Sequence, residues 1–236
     1  MLKKMMDYSK VKGVIFDFDG TLYETRKLGF NMVLENPLHM FTMRSDRLIT
    51  KKMIGRDFGN FENFIVEFGK RWEEKTKKPA KDCLPWYQNV FFPVMIKVLK
   101  KKYRARPKVA EIFNFLYKKN IPFAVLSDYP YVKERLEAIG LTKEEIAEPA
   151  ACYCSTDFGC YKPVARPFLQ IAGEMKVAPD KILVVGDRDD TDGEGARRSG
   201  MQFVQIKTKK TVVIELTHKV YDWLEFYEVL TGSQPS

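Results

Sequence analysis

Asp17 and Asp19 stand two residues apart at the end of the apolar run Gly13-Val14-Ile15-Phe16. In extended chain that spacing turns both carboxylates to the same side. One of them can attack an electrophile while the other handles a proton. Carboxylates that attack phosphorus become aspartyl-phosphates, an established form of covalent catalysis. Gly20 follows directly, and its backbone freedom lets the chain curl and present amides to an anion. Two more apolar runs finish on polar residues: Pro122 to Leu126 ends in Ser127-Asp128, and Ile182 to Val185 ends in Gly186-Asp187. Carboxylates gathered at one place repel one another, and burying an ionised one is costly unless something compensates it. A divalent cation is the simplest compensation. Magnesium suits the case, since it takes few carboxylates and keeps positions for water and phosphate oxygens.

The elements that must position these residues can be read from hydropathy. Residues 13–19 are almost continuously apolar up to the acids, as in a strand buried on both faces of a parallel sheet. Strands are also expected at 122–126, 151–154, 182–185 and 202–206. Helices are expected from Arg106-Pro107 onward, with Val109, Ile112, Phe113, Leu116 and Tyr117 as the apolar face, and at 132–139, 166–176 and 220–230. Strands separated by helices imply an α/β fold with a doubly wound, Rossmann-like parallel sheet. Ligands bind such sheets beyond the carboxyl ends of the strands, where the acids lie. From about Arg26 to Lys97 the texture changes to Met, Phe, Trp, Lys and Glu, with apolar residues at helical spacing, as in Phe58, Phe61, Phe64, Ile65 and Phe68. This predicts a smaller all-helical domain at 26–97, inserted into a core of 1–25 and 98–236.

Phe16-Asp17-Phe18-Asp19-Gly20-Thr21 resembles the first signature of the haloacid dehalogenase superfamily. Ser127 resembles the second signature and Lys162-Pro163 the third. Gly186-Asp187 with Asp192, then Gly195-Ala196 and Gly200-Met201, resembles the fourth. The order and structural context match, over about residues 10–25 and 100–206. The third signature departs from the family habit, with Ala165 where a proline is common and a proline at 167. The resemblance implies a magnesium-dependent phosphatase acting on a small phosphorylated metabolite. In it Asp17 is the nucleophile, and Asp19 the acid and then the base. Ser127 and Lys162 complete the catalytic set, and Gly20, Thr21 and Asp128 join those two around the phosphate. The metal ligands would be Asp17, the Asp19 backbone carbonyl, Asp187 and a second acid. Spacing favours Asp192 for that acid, with Asp190 as the alternative. The inserted helices resemble the family's cap, which closes over the site as lids do. Arg44, Arg56 and Arg71 are conceivable substrate contacts, surface placement being the simpler reading.

The same residues would serve a sugar-phosphate mutase, and a binding protein on a retained fold is a third reading. Dehalogenation is disfavoured, because halide departure needs no acid at Asp19. The 236 residues carry a net charge of +9, with lysines and arginines spread out and only short clusters such as Lys100-Lys101-Lys102. No nucleic-acid motif accompanies them, so solvated surface is the simpler reading of these clusters; the resemblance implies a small phosphorylated substrate as partner, with no nucleic acid and no membrane. No membrane-length apolar run and no secretory leader are apparent. Four cysteines form neither a paired metal pattern nor a disulfide framework. A cytoplasmic monomer or homodimer is expected. His39 and His218 receive no role.

Overall fold

A computed structural model describes residues 8–146, 150–209, 211 and 218–232. Six strands form one sheet: β1 Gly13–Asp17, β2 Phe123–Ser127, β3 Ala151–Cys154, β4 Ile182–Gly186, β5 Gln202–Ile206 and β6 Lys219–Tyr221. All neighbouring pairs are parallel and the order is β3-β2-β1-β4-β5-β6. The chain runs outward from β1 to β3, returns to β4 and runs outward again. The topological switch therefore lies between β1 and β4, where a doubly wound sheet binds its ligand. Every residue of β1, β2 and β4 is buried, as continuous apolar runs require. Phe16, fully buried, packs against Phe113 at 5.5 Å between ring centroids. Each such side chain contributes roughly 2–3 kcal/mol through burial.

Between β1 and β2 the chain is helical: α1 Leu28–Glu35, α2 Met40–Met53, α3 Phe61–Thr76, the single turn α4 Cys83–Trp86 and α5 Phe92–Lys102. Phe64, Phe68 and Trp72 recur at helical spacing on α3 and are buried. They meet Trp86 and Tyr87 in an aromatic core, with Trp72 and Trp86 4.9 Å apart. Helix α5 runs unbroken across residue 97, because Met95, Val98 and Leu99 continue one buried stripe. The incoming and outgoing segments of this insertion lie side by side, with the Arg106 amide donating to the Leu22 carbonyl at 2.8 Å. Its far side meets the loop after β3. The Phe58 amide donates to the Gly159 carbonyl at 2.9 Å, and Phe64 packs on Tyr161.

The remaining helices are α6 Val109–Lys118, α7 Val132–Ala138, α8 Ala165–Met175, α9 Glu194–Arg198 and α10 Trp223–Thr231. The five sequence-predicted strands all form. The expected helix at 220–230 divides, however. Lys219–Tyr221 pairs with Val204–Ile206 as an edge strand, and the helix begins only at Trp223. The open edge of β5 offers backbone partners that local periodicity does not register. No helix among the described residues is long and apolar enough to cross a membrane.

Candidate active site

Register brings the strand ends together. Asp17 is level with Leu126, and Phe16 with both Val125 and Val185. Asp17, Ser127 and Asp187 therefore emerge at one edge of the sheet. Gly20 turns the chain there with φ +97°, and a methyl group on it would lie 2.3 Å from Asp187 Oδ2. Glycine is required on both counts: the left-handed backbone and the close approach of the carboxylate.

After β4 the chain makes a π-helical turn, Asp189–Gly193. The turn tucks Asp192 back under the strand, where its Oδ2 accepts from the Arg188 amide at 3.2 Å. Gly186 must lack a side chain, since a Cβ there would meet Asp192 at 2.4 Å. Asp17, Asp187 and Asp192 then offer oxygens within 4.8 Å of one another. Asp190 points outward to an exposed pairing with Arg188. Asp189 is buried against Arg197, away from the cluster.

Lys162, 4% exposed, donates from Nζ to Asp17 Oδ1 and to Asp192 Oδ1, both at 2.6 Å. Its backbone amide donates to Asp128 Oδ1 at 3.0 Å, and the same carboxylate accepts from the Ser155 hydroxyl. Asp128 thus fixes the loop that carries the lysine. Thr21 Oγ1 donates to Asp17 Oδ2 at 2.7 Å. Burial and then the Asp192 charge push the Asp17 carboxyl well above the usual carboxylate range, against the pull of Lys162. Burial, then Asp17 and Asp192, raise Asp187. Burial opposes the Lys162 charge, but Asp17, Asp192 and Asp128 outweigh it and raise its pKa. Three carboxylates face one ammonium, so the cluster as built lacks positive charge. Hard oxygen donors converging with a charge deficit fit a small divalent cation.

Asp19 is held apart from this cluster. Its Oδ1 accepts from the Tyr23 hydroxyl at 2.5 Å; its Oδ2 accepts from the Arg135 guanidinium and from Ser127 Oγ, the latter at 3.3 Å. Arg135, Tyr23 and Arg106 were not singled out by the sequence reading. Arg106 donates to the carbonyls of Thr21 at 3.0 Å and Gly20 at 3.1 Å, so it holds the turn that follows β1. The signal for Arg135 was available: it occupies the apolar stripe Val132, Arg135, Leu136 on α7, where a charged residue needs a reason. Arg44 and Arg56 are exposed, and Arg71 pairs with Glu67 at 2.6 Å.

A cavity of about 390 Å³ opens beside Gly20 and Asp187. Arg26, Lys27, Arg106 and Lys209 line it against Glu24 and Asp187, a balance that favours small anions.

The family model for haloacid dehalogenase-like hydrolases matches residues 11–200. A phosphoglycolate phosphatase of Shigella dysenteriae serotype 1 is 25% identical over 218 residues, covering 83% of this chain and 81% of that protein. A glyceraldehyde 3-phosphate phosphatase of Methanothermobacter thermautotrophicus is 24% identical over 210 residues, covering 85% and 88%. The crystal structure of a 2-haloacid dehalogenase from Pseudomonas syringae superposes with a TM-score of 0.61 at 17% identity, covering 94% of this chain and 98% of that one. That last similarity speaks to the fold alone.

Proposed function

The chain belongs to the haloacid dehalogenase-like hydrolases, and from that membership we propose that it is a magnesium-dependent phosphatase of a small phosphorylated metabolite, acting through an aspartyl-phosphate on Asp17. One observation carries the reading: Lys162 Nζ bridges Asp17 and Asp192 at 2.6 Å while Asp187 stands beside them. The phosphatase names of the relatives at 24–25% identity support the activity class without fixing a substrate.

Magnesium held by Asp17, Asp187, Asp192 and the Asp19 backbone carbonyl would supply positive charge to the phosphoryl oxygens. Asp17, steadied by Lys162 and Thr21, attacks phosphorus in line with the leaving oxygen. Lys162 neutralises charge that builds up on the phosphoryl group. Ser127 donates its hydroxyl to a phosphate oxygen, beside Asp128 and the turn at Gly20 and Thr21. Asp19 gives a proton to the departing alkoxide and then takes one from the water that cleaves the aspartyl-phosphate. In this reading residues 26–97 form a cap over the core of 1–25 and 98–236. The cationic cavity beside Asp187 admits the rest of the substrate.

The test is hydrolysis of p-nitrophenyl phosphate and of a panel of phosphorylated metabolites with magnesium, comparing wild type with Asp17→Asn. Loss of the nucleophile should lower turnover by about 10⁴-fold or more. Equal activity in the two proteins, or an inert wild type across the panel, would overturn the proposal.

A further inference from the structure

Arg135 is fully buried, and it lies between the two residues read above as the acid and a phosphate donor. Its Nη1 donates to Ser127 Oγ at 3.0 Å and to the Tyr129 carbonyl at 3.1 Å, and its Nη2 pairs with Asp19 Oδ2. The guanidinium lies 4.3 Å from the centre of the Phe18 ring, whose residue separates Asp17 from Asp19. Its Nε has no hydrogen-bond partner among the described residues. A buried arginine with an unmet donor is a poor way to stabilise a helix, and an apolar side chain of that size would serve packing better.

Hydrogen-bond bookkeeping shows what the arginine does instead. A serine hydroxyl has two acceptor sites and one proton. Arg135 Nη1 and the Tyr129 amide, the latter at 3.1 Å, fill both acceptor sites of Ser127. Its proton is therefore left to donate, and it goes to Asp19 Oδ2 at 3.3 Å, a long bond that a phosphate oxygen can replace. The other arm of the same rigid fork fixes the Asp19 carboxylate, which keeps a quarter of its side chain exposed toward the site. We infer that Arg135 is a positioning residue that sets both, holding the Ser127 hydroxyl as a donor toward phosphate and the Asp19 carboxylate toward the leaving oxygen. A lysine cannot replace it fully, because a single ammonium lacks the planar fork that reaches both oxygens.

The inference rests on the phosphatase reading, and leaving-group dependence tests it separately. p-Nitrophenolate departs without a proton, whereas a primary alkoxide needs one. We compare kcat/KM for p-nitrophenyl phosphate and for ethyl phosphate in wild type, Arg135→Gln and Arg135→Lys. Arg135→Gln should lower the alkyl value by about 10²-fold and the aryl value by about tenfold or less, the range in which positioned acids act. Arg135→Lys should fall between the two. With Asp19→Asn already present, Arg135→Gln should leave the alkyl-to-aryl ratio unchanged. Equal losses on both esters, or no loss, would overturn the role of Arg135 while leaving the phosphatase reading intact. If Arg135→Gln does not fold by circular dichroism, Arg135→Lys decides on the same ratio. Where ethyl phosphate is not turned over, the best alkyl ester of the metabolite panel takes its place, and a wild type inert toward that whole panel would remove the phosphatase reading and this inference with it.

Discussion

At the carboxyl edge of the sheet, three carboxylates converge, two of them bonded to one lysine, beside a cavity lined by arginines and lysines. In the helical insertion a single carboxylate, Asp46 of α2, is as deeply buried, at 3% exposure. It accepts from the Tyr87 hydroxyl and from Thr50 at 3.5 Å, with no cation paired to it among the described residues. Burial pushes Asp46 up to about 6. Burial raises the clustered Asp17 and Asp187 as well, and there the neighbouring carboxylates add to the effect. The clustered acids repel one another and hold Lys162 charged, an arrangement that leaves room for another cation. Burial alone therefore does not mark a site. Convergence with uncompensated charge does.

The comparison breaks most visibly at Lys162. Lys162→Met should lower phosphate-ester hydrolysis by about 10³-fold. It should also cost about 3–5 kcal/mol in denaturant unfolding, because it strands buried carboxylates. Unchanged turnover would mean that the sheet-edge cluster is as structural as Asp46. Next in size is the response to metal. Magnesium at a hundredfold over its dissociation constant should stabilise the protein by about 2.7 kcal/mol relative to chelator, or roughly 5–10 °C in Tm for a chain of this size. Asp187→Asn should abolish that shift and Asp46→Asn should preserve it. Identical melting with magnesium and with chelator would remove the metal from the sheet-edge cluster.

The last effect, confined to stability and its pH dependence, sharpens the contrast from the other side. Asp46→Asn should leave hydrolysis unchanged and flatten part of the stability–pH curve. The folded-state value lies above the unfolded one, so the protonated group favours folding. That contribution is fully present below about pH 4 and is lost as pH rises through about 6. Two pH units correspond to about 3 kcal/mol. Unfolding free energy near pH 4 minus that near pH 7 should thus be more positive in the wild type than in Asp46→Asn. Equal differences would mean that Asp46 keeps its ordinary acidity.

The sequence by itself determined the strands and their polar ends, because a strand buried on both faces must be apolar along its length and polar residues must follow where the run stops. It likewise marked the helical insertion, through the spacing of Phe61, Phe64, Ile65 and Phe68 on α3, of which Phe64 and Phe68 are buried. What only the tertiary structure decided lies where side-chain direction has no fixed period. The π-helical turn sends Asp192 inward to Lys162 and Asp190 outward to Arg188, though both sit in one acidic run. The edge of β5 converts Lys219–Tyr221 from expected helix to strand. The packing of α7 against β2 carries Arg135 across 116 residues of sequence to Asp19. The placing of Asp192, of Lys219–Tyr221 and of Arg135 depends on partners distant along the chain, and local periodicity holds no information about which distant partner will be near.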